Sequence, residues 1–307
     1  MISEPKNILC VTANPCVDRV VWYRDSIDRP TRVFRQLGGK GVNAARMLSW
    51  LGHRVVSVTF GKGRERELAA REPGRTVVVP VAKAIREVPL YLNRARNEAR
   101  MAYVNTNAVT PREARAMLEA CRRELERGQD LVIISGSACA GAEELYPAMV
   151  RMAKEKGIPV MLDSYGQPLL SSLPEKPDFI KPNREELEQA VGTIPPGGEA
   201  EAAGKLLEQG AGCVLLTMGA QGSWCVTKEE KFFCPVFPVE TVSAIGSGDA
   251  FAAYFAHAWL RGWSPERCLE VGSAAGAANA MQSVSGRVRE KAVTRILRRE
   301  GRQGMRR

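Results

Sequence analysis

Short β-rich runs alternate with amphipathic helical stretches along almost the whole chain, and this alternation restricts the fold more than any other feature. Buried strands are predicted over residues 7–12, 55–60, 131–135, 158–163 and 213–217. Helices are predicted over residues 42–51, 111–127, 142–156, 198–209 and 250–260. Strands that alternate with helices pair in parallel and need cover on both faces. The sequence therefore predicts an α/β fold with a doubly wound, mostly parallel sheet flanked by helices.

Two segments, residues 17–36 and 76–107, interrupt the alternation with strand-like runs and few helical signals. The second segment contains the runs VVVPV, PLYLN and MAYVN. Together the two segments are predicted to form a small antiparallel β lid, which either closes over a site or covers a sheet edge. The exposed edges of such a sheet need cover, and two lids paired across a two-fold axis would supply it. A homodimer through the lid is therefore expected.

The chain of 307 residues is long enough for one large α/β domain, residues 1–307, with the lid inserted into it. No apolar run approaches the ~20 residues of a membrane span, and the N-terminal segment lacks the pattern of a secretory signal, so a cytoplasmic location is expected. Residues 287–307 carry nine basic and two acidic residues, part of the net charge of +10. They predict a basic C-terminal helix and tail over 288–307. Nucleic-acid binding is not expected, because no recognition-helix pattern accompanies them.

Cysteine and histidine usage argues against a metal-stabilised fold. The eight cysteines form no CxxC pair, and His53 and His257 are the only imidazoles, so a structural zinc site is not expected. Most of the cysteines lie in apolar runs, which predicts buried, reduced thiols.

The strongest local motif is the turn Gly246-Ser247-Gly248-Asp249, placed directly before the predicted helix at 250–260. Two glycines around a small residue allow a tight turn that aims backbone N–H groups in one direction. At a helix N-terminus such a turn forms an anion site, because the helix dipole adds positive potential there. Asp249 would either cap the helix or take a proton from a hydroxyl beside the bound anion.

A second glycine-rich turn, LGGKGVN at 37–43, also enters a predicted helix. It lacks the spacing of a phosphate-binding Walker loop. One interpretation is a tight connection between an accessory strand and the first helix. The other is a backbone surface at Gly38 and Gly39 that a ligand can approach closely, with polar contacts from Lys40 and Asn43.

Two further motifs follow predicted strands. In FIKPNREEL at 179–187, Asn183 and Glu186 stand in capping-box spacing, which alone explains both residues. However, a helix that opens at the carboxyl end of a strand is also where open α/β sheets bind ligands. The turn TMGAQG at 217–222, with Thr217, Gly219 and Gly222, has the same two interpretations.

Together these motifs resemble the PfkB carbohydrate kinase family, whose fold is ribokinase-like. The resemblance extends from NPCVD at 14–18 to VGSAAGAANA at 271–280. Within the family the chain looks most like the sugar-phosphate branch, 1-phosphofructokinase and tagatose-6-phosphate kinase. Three features indicate this branch: the NPxxD opening, SGS at 135–137, and Ser243 where many sugar and nucleoside kinases of this fold carry Asp.

The resemblance implies roles in phosphoryl transfer and acceptor binding. Asp249 would be the general base, and the backbone amides of Gly246, Ser247 and Gly248 would form an anion hole for the transferred γ-phosphoryl group. Sugar hydroxyls would be bound by one set of residues, Asp18, Gly38, Gly39 and Asn43. The phosphate already on the substrate would be bound by Lys40 and Ser137.

The resemblance also implies ATP and Mg²⁺ as cofactors. The implied nucleotide-binding residues are Lys181, Asn183, Glu186, Thr217, Gly219 and Gly222. Glu186 would hold Mg²⁺ through water, which suits the preference of this ion for keeping several of its waters.

One departure from the branch concerns the acceptor. Val88 occupies a lid position where relatives often carry a phosphate-reading Arg, and the candidates to replace that Arg are Arg86, Arg32 and Arg35. The resemblance implies ATP-dependent transfer to a phosphorylated ketohexose, with fructose 1-phosphate as first expectation and tagatose 6-phosphate or fructose 6-phosphate next. Two alternatives remain open: a kinase of an unphosphorylated sugar or nucleoside, and a non-catalytic sugar-phosphate sensor.

Overall fold

The computed structural model describes residues 4–93, 98–102 and 107–304. The strands are β1 (Asn7–Thr12), β2 (Cys16–Trp22), β3 (Arg32–Gly38), β4 (Arg54–Gly61), β5 (Arg75–Pro80), β6 (Glu87–Asn93), β7 (Glu98–Met101), β8 (Leu131–Ser135), β9 (Val160–Asp163), β10 (Phe179–Ile180), β11 (Cys213–Thr217), β12 (Ser223–Val226) and β13 (Lys231–Cys234). The helices are α1 (Lys40–Trp50), α2 (Gly63–Ala69), α3 (Pro111–Glu126), α4 (Leu145–Glu155), α5 (Gln167–Leu170), α6 (Arg184–Val191), α7 (Glu199–Glu208), α8 (Ser247–Leu260), α9 (Pro265–Ala280) and α10 (Glu290–Gly304).

A large sheet with the strand order β13-β12-β11-β10-β9-β8-β1-β4-β5 forms the centre of the molecule. Seven neighbouring strands of this sheet are parallel, namely β5, β4, β1, β8, β9, β10 and β11, and β12 and β13 add an antiparallel edge. The aliphatic side chains of the central strands are buried on both faces, in two separate apolar clusters. The predicted α/β class with a mostly parallel, helix-flanked sheet is confirmed. Because the strands are parallel, the carboxyl ends of β1, β9, β10 and β11 meet at one edge, where motifs from distant parts of the chain come together.

A smaller sheet, in the order β3-β2-β6-β7, stands apart from the large one. The β2–β3 and β6–β7 pairs are antiparallel, whereas β2 and β6 run parallel. Its Val20, Leu90 and Leu92 form a small apolar cluster that also includes Ile245 and Val284 of the main body. The lid thus packs beside the turn that opens α8. Residues 94–97 and 103–106 of the predicted lid lie outside the described residues.

The prediction that the second lid segment begins at residue 76 is wrong for the run VVVPV. β5 (Arg75–Pro80) pairs in parallel with β4 in the large sheet, with Val77 opposite Val58. The seven-residue helix α2 provides the crossover between these strands, and it buries Leu68 and Ala69. Its sequence, GRERELA, is highly charged and too short to show a helical period of apolar residues, so the helix was not predicted. The lid sheet itself is formed by β2, β3, β6 and β7.

The remaining expectations concern the cysteines and the C-terminal segment. All eight cysteines are free and buried, which confirms the prediction of buried, reduced thiols. α10 (Glu290–Gly304) lies in the predicted C-terminal helix. Within the part of the chain that the structure describes, no helix has both the length and the apolar composition needed to cross a membrane.

Candidate active site

The turn before α8 adopts a conformation that requires glycine. Gly246 is the N-cap residue with a φ of 81°, and a Cβ added to it would lie 2.4 Å from Cβ of Ser285. Any other residue would therefore meet both backbone strain and a steric clash. The amide of Ser247 donates to the carbonyl oxygen of Ala244 at 3.1 Å. This amide already has a hydrogen-bond acceptor within the turn. It could bind an anion, as predicted, only by sharing its hydrogen between the anion and Ala244.

The two distant glycine turns converge on Asp249. This residue lies in the first turn of α8 and is buried, and Nδ2 of Asn43 donates to its Oδ2 at 2.8 Å. Nη1 of Arg46 in turn donates to Oδ1 of Asn43 at 3.0 Å. Gly286 lies against this pair, since a Cβ added there would be 2.6 Å from Oδ1 of Asn43. The amide of Asn43 is held from two sides, so the position of the Asp249 carboxylate is fixed.

A third carboxylate, Asp163, was missed by the sequence analysis. It ends β9 and is fully buried, and its Oδ1 lies 3.2 Å from Nζ of both Lys40 and Lys181. Lys40 also lies 3.7 Å from Oε1 of Glu186. Burial opposes ionisation of Asp163, but the two ammonium groups outweigh it and hold its pKa below the usual range. The only available sequence signal was a carboxylate at the carboxyl end of a buried parallel strand.

The charges around Asp249 bring its pKa closer to neutral pH than that of an ordinary aspartate. Burial and the neighbouring charge of Asp163 raise the pKa of Asp249 to about 6, although Lys40, Asn43 and Lys181 act in the opposite direction. Burial also lowers the proton affinity of Lys40, but the nearby carboxylates, Asp163 first, dominate and raise its pKa. Lys40 therefore stays protonated, and Asp249 can change its protonation state close to physiological pH.

The predicted nucleotide-side motifs occupy adjacent strand ends. Asn183 and Glu186 form a reciprocal capping box at the start of α6, with both hydrogen bonds at 2.8 Å. Asn183 also bridges to Thr217, where β11 ends. The turn after β11 contains Gly219 and Gly222 at positive φ angles of 56° and 94°. These motifs therefore lie side by side at one edge of the sheet.

Lys181 joins this edge to the first turn of α8. It follows β10 and is buried, and a Cβ added to Gly248 would lie 3.1 Å from its Nζ. Since Nζ of Lys181 also lies 3.2 Å from Asp163, the ammonium group stands between that carboxylate and the glycine turn. A cation at this point lowers the electrostatic cost of an anion bound at the turn.

The acceptor-side residues predicted from the sequence surround Asp18. Its carboxylate accepts hydrogen bonds from Nε2 of Gln36 at 3.1 Å and from the thiol of Cys16 at 3.2 Å. A Cβ added to Gly38 would lie 2.4 Å from Oδ1 of Asp18, so glycine makes room for this carboxylate. Gly39 has a φ of 121° and lies close to Thr12 in the same way. Gln36 was not identified from the sequence, because nothing in its local context marks it.

Val88 pairs with Asp18 across β2 and β6. The three arginines considered as replacements for an Arg at this position all contact other groups of the protein. Arg86 is buried and donates to the carbonyl oxygens of Asn14 and Pro15. Arg35 pairs with Glu87 at 3.0 Å. The guanidinium of Arg32 stacks over the ring of Trp22, with 5.1 Å to the ring centroid. Ser137 accepts a hydrogen bond from Nδ2 of Asn14 at 2.9 Å, so the Asn14-Pro15 turn and the SGS motif meet.

The described residues contain no group of three or more His, Cys, Asp and Glu side chains that could enclose a metal ion. However, Oδ2 of Asp163 is buried without a hydrogen-bond partner, and the Glu186 carboxylate lies at the same edge. Two oxygen donors of this kind suit an ion such as Mg²⁺, which takes few protein ligands and keeps its waters.

The chain combines a doubly wound α/β sheet, a β lid and a glycine turn next to a buried carboxylate. A family model described as pfkB family carbohydrate kinase matches residues 8–290, and the chain belongs to this family. The chain is 30% identical over 264 residues to a 1-phosphofructokinase from Rhodobacter capsulatus, covering 82% of this chain and 83% of the relative. A 1-phosphofructokinase from Bacillus subtilis (strain 168) is 28% identical over 291 residues, 91% of this chain and 94% of the relative. The chain is therefore a carbohydrate kinase of this family.

Solved structures confirm the fold. Phosphofructokinase-2 from Escherichia coli, in complex with potassium, superimposes with a TM-score of 0.86 at 23% identity, over 97% of this chain and 99% of that one. Ribokinase from Arabidopsis thaliana, complexed with ribose and ATP, gives a TM-score of 0.73 at 20% identity, over 96% and 99% of the two chains. The ribokinase-like architecture predicted from the motifs is therefore confirmed.

Proposed function

We propose that the chain transfers the γ-phosphoryl group of ATP to a hydroxyl of a phosphorylated ketohexose. Fructose 1-phosphate is the first acceptor to test, followed by tagatose 6-phosphate and fructose 6-phosphate. The single observation that carries this proposal is the contact between Asn43 and Asp249, which joins the 38–43 turn to the first turn of α8. The two relatives named 1-phosphofructokinase support the choice of acceptor.

Asp249 would act as the general base for the attacking hydroxyl. Its carboxylate is ionised above a pH of about 6, and Asn43 occupies Oδ2, which leaves Oδ1 to accept the proton. The amides of Gly246 and Gly248, at the positive end of α8, would hold the charge that grows on the transferred group. Ser247 would join them by sharing its turn bond with the anion.

The ATP phosphates would lie between Lys181 and the α8 turn. Thr217, Gly219 and Gly222 would line the pocket for the rest of the nucleotide, with Asn183 shaping the start of α6. Mg²⁺ would be held at Asp163 and Glu186, in the latter case through water, and would supply charge neutralisation on the phosphates when bound. Lys181 would orient the γ-phosphoryl group toward the acceptor.

The acceptor would lie under the lid. Asp18 and Asn43 would bind sugar hydroxyls, and Gly38 and Gly39 would allow the ring to approach the backbone. The phosphate already on the sugar would be bound by Lys40 and Ser137. As a consumer of ATP and sugar phosphates, the enzyme would act in the cytoplasm.

A coupled ADP-release assay over three acceptor classes tests this proposal. Sugar phosphates are expected to be turned over at least about tenfold faster, by kcat/KM, than the matching free sugars and than nucleosides, because only they satisfy the cationic groups at the site. Faster turnover of free sugars or nucleosides would contradict the assignment of a sugar phosphate as the acceptor. Binding of ADP and sugar phosphates without transfer to any acceptor would favour the sensor alternative and contradict the proposal.

A homodimer through the lid remains our proposal for the assembly. Val33 and Met101 lie on the edge strands β3 and β7 and are 40% and 42% exposed, which is unusual for apolar side chains. Sedimentation equilibrium is expected to give twice the chain mass of 33.6 kDa. Val33→Arg is expected to lower this mass toward that of a single chain. A single-chain mass for the unmodified protein would contradict the dimer.

A further inference from the structure

A pocket of about 200 Å³ lies between β3, α1, the end of α2 and the segment after α9. Its lining contains four arginines, Arg35, Arg46, Arg71 and Arg287, and a single carboxylate, that of Glu72. Gln36 also lines the pocket, and its side chain separates it from Asp18, since Nε2 donates to Asp18 while Oε1 accepts from Arg287. The pocket therefore adjoins the acceptor site but is a different space.

The positive charge of the pocket is only partly neutralised. Arg46 is buried and forms two hydrogen bonds of 2.8 Å with Glu72, and Arg35 pairs with Glu87. Among the described side chains, neither Arg71 nor Arg287 has a carboxylate within ion-pair distance. Partial burial and then the charge of Arg46 lower the pKa of Arg287, although the carboxylate of Glu72 acts in the opposite direction.

Arg287 is held in place by an amide oxygen and an aromatic ring. Its Nε and Nη2 donate to the same oxygen, Oε1 of Gln36, at 3.1 and 2.9 Å, and its guanidinium lies 5.4 Å from the ring centroid of Phe34. Arg71 is exposed two residues after the end of α2 and also lines the pocket. Two guanidinium groups from distant parts of the chain therefore line one small cavity.

We infer that this pocket binds a phosphoryl dianion, on inorganic phosphate or on a small phosphorylated metabolite, as an inhibitory effector of the kinase. Guanidinium groups bind phosphate bidentately, and Arg71 and Arg287 bring two of them to the lining of one pocket. The volume of about 200 Å³ is below the roughly 300 Å³ at which typical ligand pockets begin, so a compact anion fits it better than a nucleotide does.

Two hydrogen-bond relays connect the pocket to the acceptor site. One runs from Arg287 through Gln36 to Asp18, and the other from Arg46 through Asn43 to Asp249. A dianion in the pocket would attract Arg287 and Arg46 and so reduce the positive potential that they produce at Asp18 and Asp249. The charge of Arg46 favours ionised Asp18, so its neutralisation weakens acceptor binding. The expected effect is a raised KM for the acceptor, and this kinetic part rests on the proposed function.

Titration calorimetry with inorganic phosphate and, separately, with 2-phosphoglycolate tests the site. Arg71→Gln is expected to weaken binding of the better probe about tenfold or more, because a charged hydrogen-bond partner is lost. Arg66→Gln is the matched control, since Arg66 is also exposed on α2 but does not line the pocket. Lys40→Met reports on the kinase site and is expected to leave binding of the probe in place. The probe that binds more tightly shows whether the pocket prefers inorganic phosphate or a small phosphorylated metabolite.

Equal affinity in Arg71→Gln and Arg66→Gln would overturn the inference, as would binding that is lost in Lys40→Met but not in Arg71→Gln. The second readout is the KM of the acceptor, which the probe is expected to raise in the unmodified protein and in Arg66→Gln but not in Arg71→Gln. If the probe binds in a way that depends on Arg71 but no sugar phosphate is turned over, the proposed function is contradicted and the inferred anion site is supported. Turnover without such binding would overturn the site alone.

Discussion

Asp249→Asn is expected to lower kcat by about 10²–10⁴-fold, the usual contribution of a general base. The amide has nearly the same shape and can still accept the hydrogen bond from Asn43, but it cannot take a proton from the acceptor hydroxyl. KM for ATP should change little, because Lys181, which would face the ATP phosphates, is untouched. The coupled ADP-release assay at saturating ATP and sugar phosphate measures the effect.

The same substitution is expected to increase stability at alkaline pH. The folded protein raises the pKa of Asp249 to about 6, mainly by burial, so the stability that this group contributes is present at low pH and is lost as the pH rises through that value. Removing the charge should therefore raise the free energy of unfolding at pH 8 by on the order of 2–3 kcal/mol. The two proteins should converge below pH 4.

Asp25→Asn is the matched control, since Asp25 is exposed in the loop between β2 and β3. It should change neither kcat nor the free energy of unfolding. A kcat for Asp249→Asn above one tenth of the unmodified value would remove Asp249 from the role of base.

Asp163→Asn is expected to be the second most damaging change. It removes the buried carboxylate that Lys40 and Lys181 share, which should cost about 3–5 kcal/mol of the free energy of unfolding. The loss of an oxygen donor beside the ATP phosphates should lower kcat/KM for ATP by about 10–100-fold. Chemical denaturation and steady-state kinetics measure the two effects separately.

The pH dependence distinguishes a direct role of Asp163 from a merely structural one. In the unmodified protein the acidic limb of kcat/KM should lie near pH 6, because Asp249 must be ionised to accept a proton. In Asp163→Asn the limb should move to lower pH, because Asp249 loses a like charge and gains the uncompensated field of two lysines. Asp178→Asn is the control, since Asp178 also pairs with a lysine, Lys154, but lies outside the site. An acidic limb that Asp163→Asn leaves in place would contradict this electrostatic coupling.

The features that could be predicted from the sequence are those with a local signature. Alternating strands and helices indicated the parallel sheet, and glycine turns before Val42 and Ala250 marked the two ends of the candidate site. Glycine positions are readable because the backbone geometry there excludes other residues, as at Gly246. The helix α2 and strand β5 were misjudged because a short, highly charged helix with one buried turn has almost no periodic signal.

The features that could not be predicted depend on contacts between distant residues. Asp163 carries no motif, and its importance appears only when β9 brings it against Lys40 and Lys181. The same holds for Arg287, which reaches Gln36 across 251 positions of the chain. Such pairs are set by the order of strands in the sheet and by loop closure, and neither is encoded in any local window of sequence.

A crystal structure with a non-hydrolysable ATP analogue and fructose 1-phosphate would show most directly whether the two glycine turns bracket the reacting groups. We expect one sugar hydroxyl within about 3.2 Å of an Asp249 carboxylate oxygen, the reach of a general base. The terminal phosphorus should lie on the other side of that hydroxyl, above the 246–248 turn. A sugar phosphate bound with every hydroxyl beyond reach of Asp249, or bound away from Asp18 and Asn43, would contradict the proposed mechanism.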